Sequence, residues 1–184
     1  MITYEWDHAD LSYIQRKLGD MRAQAPRAMR DAVNNTAKTA RMKLLKAAQE
    51  RYTIKSGRFK SKAEITYATL ANPTALIKFR GKPPTVTSFH ATAPKSGGKA
   101  EVLSGSGLKM LVGPKRLKAF MAKKVMFQRV GKERLPLKKI SGPSVPKQIE
   151  MVYGGKNLSR TPVKEEINKL LQANVEKQIK RFLQ

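Results

Sequence analysis

The chain predicts an α+β fold: N-terminal helices and a C-terminal helix packed with a small antiparallel β-sheet, with an irregular arm rich in proline and glycine. Three observations carry this. Apolar residues recur at helical spacing near both ends of the chain. Short alternating stretches separated by turn residues fill the middle. A late segment, "LPLKKISGPSVPKQI", holds Pro136, Gly142, Pro143 and Pro146, which disfavours both a helix and a central strand. Helices, then short strands, then a helix is an α+β order. The 184 residues read as one domain, 1–184, long enough to bury most of its apolar surface without covalent help.

The elements follow in order. Leu11, Ile14, Leu18, Met21 and Ala25 make one apolar stripe, so Asp10 to Gln24 reads as a helix with Asp10 as its cap and Gly19 as a weak point. Residues 1–25 form an N-terminal helical extension. Pro26 suits a helix start. From Arg27 to Tyr52 a long helix buries Met29, Val33, Ala37, Ala40, Leu44 and Ala47 or Ala48, giving an element over 26–52. Arg27, Arg30, Lys38 and Arg41 form a second stripe on it, either an anion-facing edge or a solvated flank. Gly57 breaks the helix.

Residues 62–131 are β-rich. "AEITYAT" and "TALIKFRG" flank Asn72-Pro73 and read as a hairpin, which Pro83-Pro84 ends. "TVTSFHAT" suggests a third strand, "APKSGGKA" a flexible connection, and "AEVLSGSG" a weak strand. "PKRLKAFMAK" suggests a short helix from Pro114, and "KVMFQRV" a better strand. Residues 132–160 read as a basic arm rich in proline and glycine. Residues 161–184 are the clearest helix. Thr161 caps it, Pro162 fills the first turn, and Val163, Ile167, Leu170, Leu171, Val175, Ile179 and Phe182 make its apolar face. Glu165 and Glu166 near the start and Lys180 and Arg181 near the end match the dipole.

Charge narrows the function. Lys plus Arg is 38 and Asp plus Glu is 13, a formal net charge of +25. Between Ile65 and Lys147 there are 17 basic residues and two acids, Glu101 and Glu133. So basic a chain repels itself unless it meets anions, from nucleic acid, an acidic protein or anionic lipid. There is no cysteine, hence no disulfide, thiolate metal site or cysteine nucleophile. No apolar run approaches the ~20 residues of a membrane span. The N-terminus "MITYEWDHAD" is acidic and lacks the regions of a signal peptide, so the chain reads as soluble and made without secretion.

Reactive constellations are missing. His8 and His90 stand far apart, neither at a metal-ligand spacing, and His90 reads as a strand surface residue. "SGGKAE" fails as a phosphate loop because Ala93 and Ala100 stand where glycine and Ser or Thr are needed. The chain reads as a non-enzyme without a cofactor, metal or small-molecule substrate. No recognition module for nucleic acid shows either. Phe59, Phe79 and Phe127 lie beside basic residues and offer stacking surfaces, or else face inward from strands.

Two segments carry a family resemblance. "AVNNTAKTARMKLLKAAQERYTIKSGRF" and "FQRVGKERLPLKKISGPSVPK", together with the helical C-terminus, resemble the phage minor tail protein Z family, also called tail completion proteins. The likeness covers roughly Ala32 to Gln184, and its Gly-Pro-Ser-Val-Pro segment is the specific part. "SGRFKSKAEI" is more distantly similar to a turn of the wider tail-component family typified by a neck protein of a lambdoid phage.

The resemblance implies a structural protein of a phage or prophage tail, made in the bacterial host cytoplasm and housed in the virion. It implies a role in completing the head-proximal end of the tail so that the head can join. Partners would be other tail or neck proteins, copies of itself in a homo-oligomeric ring, and the phage DNA end, with no membrane involved. It brings no catalytic residues. Within that frame Leu135, Pro136, Leu137, Gly142, Pro143, Ser144, Val145 and Pro146 read as an assembly arm. Arg129, Lys132, Arg134, Lys138 and Lys139 would face an acidic partner or DNA. The alternatives are a solvated surface loop and, for the whole chain, a basic DNA-binding accessory protein without sequence preference.

Overall fold

The structure, a computed structural model, describes residues 2–4, 8–54, 63–113, 116–154 and 163–183. The chain divides into two compact units. The first comprises Met1–Leu45, Ala63–Phe79 and Met151–Gln184, and the second Lys46–Lys62 and Arg80–Glu150. The sequence suggested one α+β domain, and the α+β class holds: among the described residues four helices accompany three small antiparallel sheets.

In the first unit, α1 spans His8–Leu18. It starts two residues before the expected cap, so Asp10 lies inside it. It also stops earlier than expected. Gly19 adopts φ +53°, a left-handed conformation that glycine takes without strain, and Gly19–Gln24 continues as 3-10 helix. Ile14, Leu18 and Ala25 of the expected stripe are buried. The side chains of Leu11 and Met21 lie outside the described residues. Helix α2 spans Ala25–Arg51, with Pro26 in its first turn. Its expected face is buried at Met29, Val33, Ala37, Ala40, Leu44 and Ala48. The expected break at Gly57 lies outside the described residues.

The C-terminal helix spans Val163–Leu183; Thr161 and Pro162, expected to start it, lie outside the described residues. Its Val175 and Ile179 form one core with Ile14, Leu18, Ala25, Ala28, Met29 and Ala32, and Phe182 packs against it. Burying a side chain such as Leu18 contributes about 1.5–3 kcal/mol. The sheet of this unit has the order β1-β3-β2, formed by Ile2–Tyr4, Ala75–Phe79 and Ala63–Thr66. Ile77 of the central strand sits opposite Ile2 on one side and Ile65 on the other. The expected hairpin is β2–β3. Its loop is closed by Thr69 and Asn72, whose Oδ1 accepts from the Thr74 N–H at 3.1 Å. Strand β1 escaped the sequence reading, since three residues are too few to show alternation. The Asn34 amide bonds both backbone groups of Ala68, at 3.1 and 2.8 Å, and so fastens α2 to the segment after β2.

The second unit holds two sheets, β4-β5-β6 and β7-β8-β9. The first is His90–Thr92, Lys99–Glu101 and Lys109–Met110. The second is Phe120–Ala122, Val125–Arg129 and Leu137–Lys139. Val86, Ala100, Ala119 and Met126 make its core, with Ala91, Val102, Leu111 and Ile140 packed against it. Four expectations are corrected here. The third strand begins only at His90, because Val86–Ser88 coil into a 3-10 turn. The helix expected from Pro114 does not form among the described residues after Arg116. Phe120–Ala122 instead pairs with Val125–Phe127 across a two-residue turn at Lys123-Lys124. Nor is the connection before β5 loose. The Gly98 N–H donates to Ala119 O at 2.6 Å, and a Cβ there would lie 2.6 Å from the Met126 sulfur.

The fourth correction concerns the arm. Part of it is strand β9, and its end opens helix α3, Val145–Tyr153. Proline in the first helical turn removes only an N–H that has no helical partner, so Pro146 starts this helix rather than preventing it. Pro136 and Pro143 lie outside β9 and leave its three residues free to pair at a sheet edge.

Candidate assembly surface

The sequence-predicted residues divide into two groups. Arg129, Lys132, Arg134, Leu135, Pro136, Leu137, Lys138 and Lys139 come together on the β8–β9 hairpin. Phe127 lies opposite Lys139, Gln128 opposite Lys138, and Arg129 opposite Leu137. The Val130 N–H donates to Pro136 O at 3.3 Å and closes the loop. Directly opposed residues share a face of the sheet. Phe127, Arg129, Leu137 and Lys139 therefore lie on one face, while Met126 and Gln128 share the other with Lys138.

Gly142, Pro143, Ser144, Val145 and Pro146 go elsewhere. Ile140 donates to Met126 O at 3.0 Å and accepts from the Val86 N–H at 3.1 Å. The Gly142 N–H donates to Pro84 O at 2.8 Å, and a Cβ on Gly142 would fall on the Phe89 ring. Val145 is buried. Gln148, also buried, donates from Nε2 to Pro143 O at 2.7 Å. This half of the expected arm is stitched into its own unit.

The hairpin is exposed along its length. Arg129, Lys132, Arg134, Lys138 and Lys139 are all exposed, and no ion pair is formed by them among the described residues. Glu133 is the single acid beside these five cations. Apolar groups stand among them: Val130 is 53%, Leu135 65% and Leu137 37% exposed. Exposed apolar groups beside concentrated like charge suit a surface that another molecule covers. Phe127 does not face the core as an inward strand residue would. Met126 does, and Phe127 is half-buried on the opposite face, 6.5 Å from the Phe120 ring. Phe79 shares a face with buried Ile77; Phe59 lies outside the described residues.

The basic stripe on α2 is partly engaged. Arg30 pairs with Asp31 at 2.6 Å, and Lys38 sits 5.5 Å from the centre of the Tyr67 ring.

One pair was missed. His90, an exposed strand residue as expected, lies opposite Glu101 and contacts it from Nδ1 to Oε2 at 3.0 Å. The His90 hydrogen bond, with backbone N–H groups of Gly107 and Gly105, holds the Glu101 carboxyl below the usual carboxylate range against a smaller opposing effect of burial. The Thr53 hydroxyl accepts from the His90 N–H and donates to Glu101 O, so it knits the pair to the backbone. Only the strand register joins residues eleven apart, and sequence spacing does not show it. The arrangement braces β4 and β5. Among the described residues no three His, Cys, Asp or Glu side chains gather as a metal site would need.

Comparison with known proteins gives the chain's family. The family model of prophage minor tail protein Z matches residues 11–184. The chain belongs to that family. The match begins earlier than the likeness read from Ala32 and takes in α1 from Leu11 onward. No curated protein and no solved structure matches the chain. Minor tail protein Z is a structural component of a phage tail, so this chain belongs in the virion tail among other tail proteins. No helix among the described residues is long and apolar enough to cross a membrane.

Proposed function

We propose that this minor tail protein completes the head-proximal end of the tail and enables the head to join. In this reading it is made in the host cytoplasm and acts as a homo-oligomeric ring, through binding rather than catalysis. The observation that carries the reading is the β8–β9 hairpin, where five cations that form no ion pair among the described residues surround exposed Val130, Leu135 and Leu137. Copies carrying +25 each repel one another. A ring of them needs an anionic counterpart, either an acidic tail or neck protein or the DNA end held near the neck. The hairpin offers apolar contact for affinity and charge for steering and register. The stitched half, Gly142 to Pro146, holds its base and limits the ordering cost on docking.

The test is complementation in vitro. Purified protein added to an extract of tails lacking it should restore joined particles. The same protein with Lys132→Glu, Arg134→Glu and Leu135→Ser should stay folded and restore few. Equal restoration by both would remove the hairpin from the proposal.

The Phe120–Phe127 face, flanked by Arg129 and Lys139, favours a second reading as a DNA-binding accessory protein. That reading predicts duplex affinity falling with salt at a slope of about −0.9 per phosphate contacted. The assembly reading predicts weak DNA binding that vanishes near physiological salt, beside salt-tolerant association with a tail partner.

A further inference from the structure

Strand β9 has one paired edge and one open edge. In an antiparallel ladder, residues that exchange hydrogen bonds with the neighbour alternate with residues whose N–H and C=O point away from it. The Val130 N–H donates to Pro136 O and the Ile140 N–H to Met126 O, so between them Lys138 turns its N–H and C=O toward Gln128. The Gly142 N–H is taken by Pro84 O. Leu137, Lys139 and Ser141 therefore turn their backbone groups to the other side. The bridge between Thr85 and Ser141 runs through Ile140 O and the Gly142 N–H and leaves Ser141's own groups out of it. No hydrogen bond reaches this outer row among the described residues, and all three residues are exposed.

Such a row matches an extended polypeptide, which repeats N–H and C=O at the same spacing. Charge selects which polypeptide. Lys138 and Lys139 stand on the edge and Arg129 beside Leu137, and none forms an ion pair among the described residues. Lys139 shares a face with Arg129, and Lys138 takes the other. A second copy laid antiparallel and centred here would set Lys138 or Lys139 opposite itself, and like charges directly opposed are destabilising. A phosphodiester backbone has acceptors for the N–H groups but no donors for the carbonyls.

We infer that the open edge of β9, Leu137 to Ser141, takes an extended acidic segment of a partner protein as a further strand. Its backbone would bond Leu137, Lys139 and Ser141, and its carboxylates would meet Lys138 on one face or Lys139 and Arg129 on the other. The inference rests on the assembly reading of the hairpin and states how the partner is held.

Amide hydrogen exchange and fluorescence anisotropy on the full chain test it at physiological salt. The probe is a labelled peptide of alternating Glu and Thr about ten residues long, enough to cover a strand of ordinary length. A single-stranded oligothymidylate of similar length is the comparison. Saturating peptide should slow exchange at Leu137, Lys139 and Ser141 about tenfold or more and leave Lys138 and Ile140 unchanged. Lys139→Pro removes an outward N–H at an edge, where proline is tolerated. It should bind the peptide about tenfold more weakly than Lys139→Gln, which loses the same charge and keeps the N–H. Ser141→Pro against Ser141→Ala repeats the comparison without a charge change should Lys139→Pro fail to fold. Equal binding by the proline and glutamine variants, or no slowing at the three amides, would overturn the inference and leave the tail-joining reading intact. Slowing of those amides by the oligothymidylate and not by the peptide would overturn it in favour of nucleic acid. A Lys139→Pro protein that has lost the peptide yet restores joined particles would uphold the added strand and count against its part in tail joining.

Discussion

Gly142 shows how much one residue of the Gly-Pro-Ser-Val-Pro run does for its unit. Its N–H reaches Pro84 O, and the Phe89 ring occupies the space a side chain would need. Gly142→Ala should therefore destabilise the protein by about 1–3 kcal/mol, the usual cost of overpacking, read as a lower denaturant midpoint with unchanged slope. The sequence showed a turn glycine there; the ring that requires it lies over fifty residues away. Glu101 carries a different dependence. Its folded pKa is lowered, so its contribution is full above the ordinary carboxylate value of 4.5 and is lost as pH falls through the folded value. Glu101→Gln should lower the melting temperature at neutral pH, and the gap to the parent should close in acid. A gap independent of pH would remove the His90 contact as its cause.

Elements were legible where periodicity ran long. Helix α2 and the C-terminal helix repeat an apolar face over 27 and 21 residues, and the buried positions fall on that face. The β2–β3 hairpin was legible through Asn72-Pro73. The three-residue strands β1, β7 and β9 were not, because pairing rather than alternation defines them. The turn between β7 and β8 shows why. Lys123 and Lys124 both take positive φ, 47° and 62°, where Asn-Gly would be the expected signal. Replacing them by Asn-Gly should stabilise the protein by about 1 kcal/mol, because a lysine Cβ is disfavoured in that conformation. A thermal melt shifted upward would show it, and no shift would mean that the lysines are not strained. The candidate assembly site was half legible. Its cations and Leu135 were visible in sequence, but the break after Lys139, where the arm returns to its own unit, depends on bonds to Pro84, Val86 and Met126.

At the scale of the whole molecule, two α+β units carry a charge of +25 that neither unit's own acids neutralise. Among the described residues, eight of the thirteen exposed large apolar side chains belong to the second unit, three of them on the hairpin. That combination suits a part that another molecule covers, in line with the proposed assembly role. The most direct measurement is to disrupt the gene in its prophage, induce it, and image the particles by electron microscopy. The account predicts filled heads beside unattached or unfinished tails. Normal, infectious particles would contradict it.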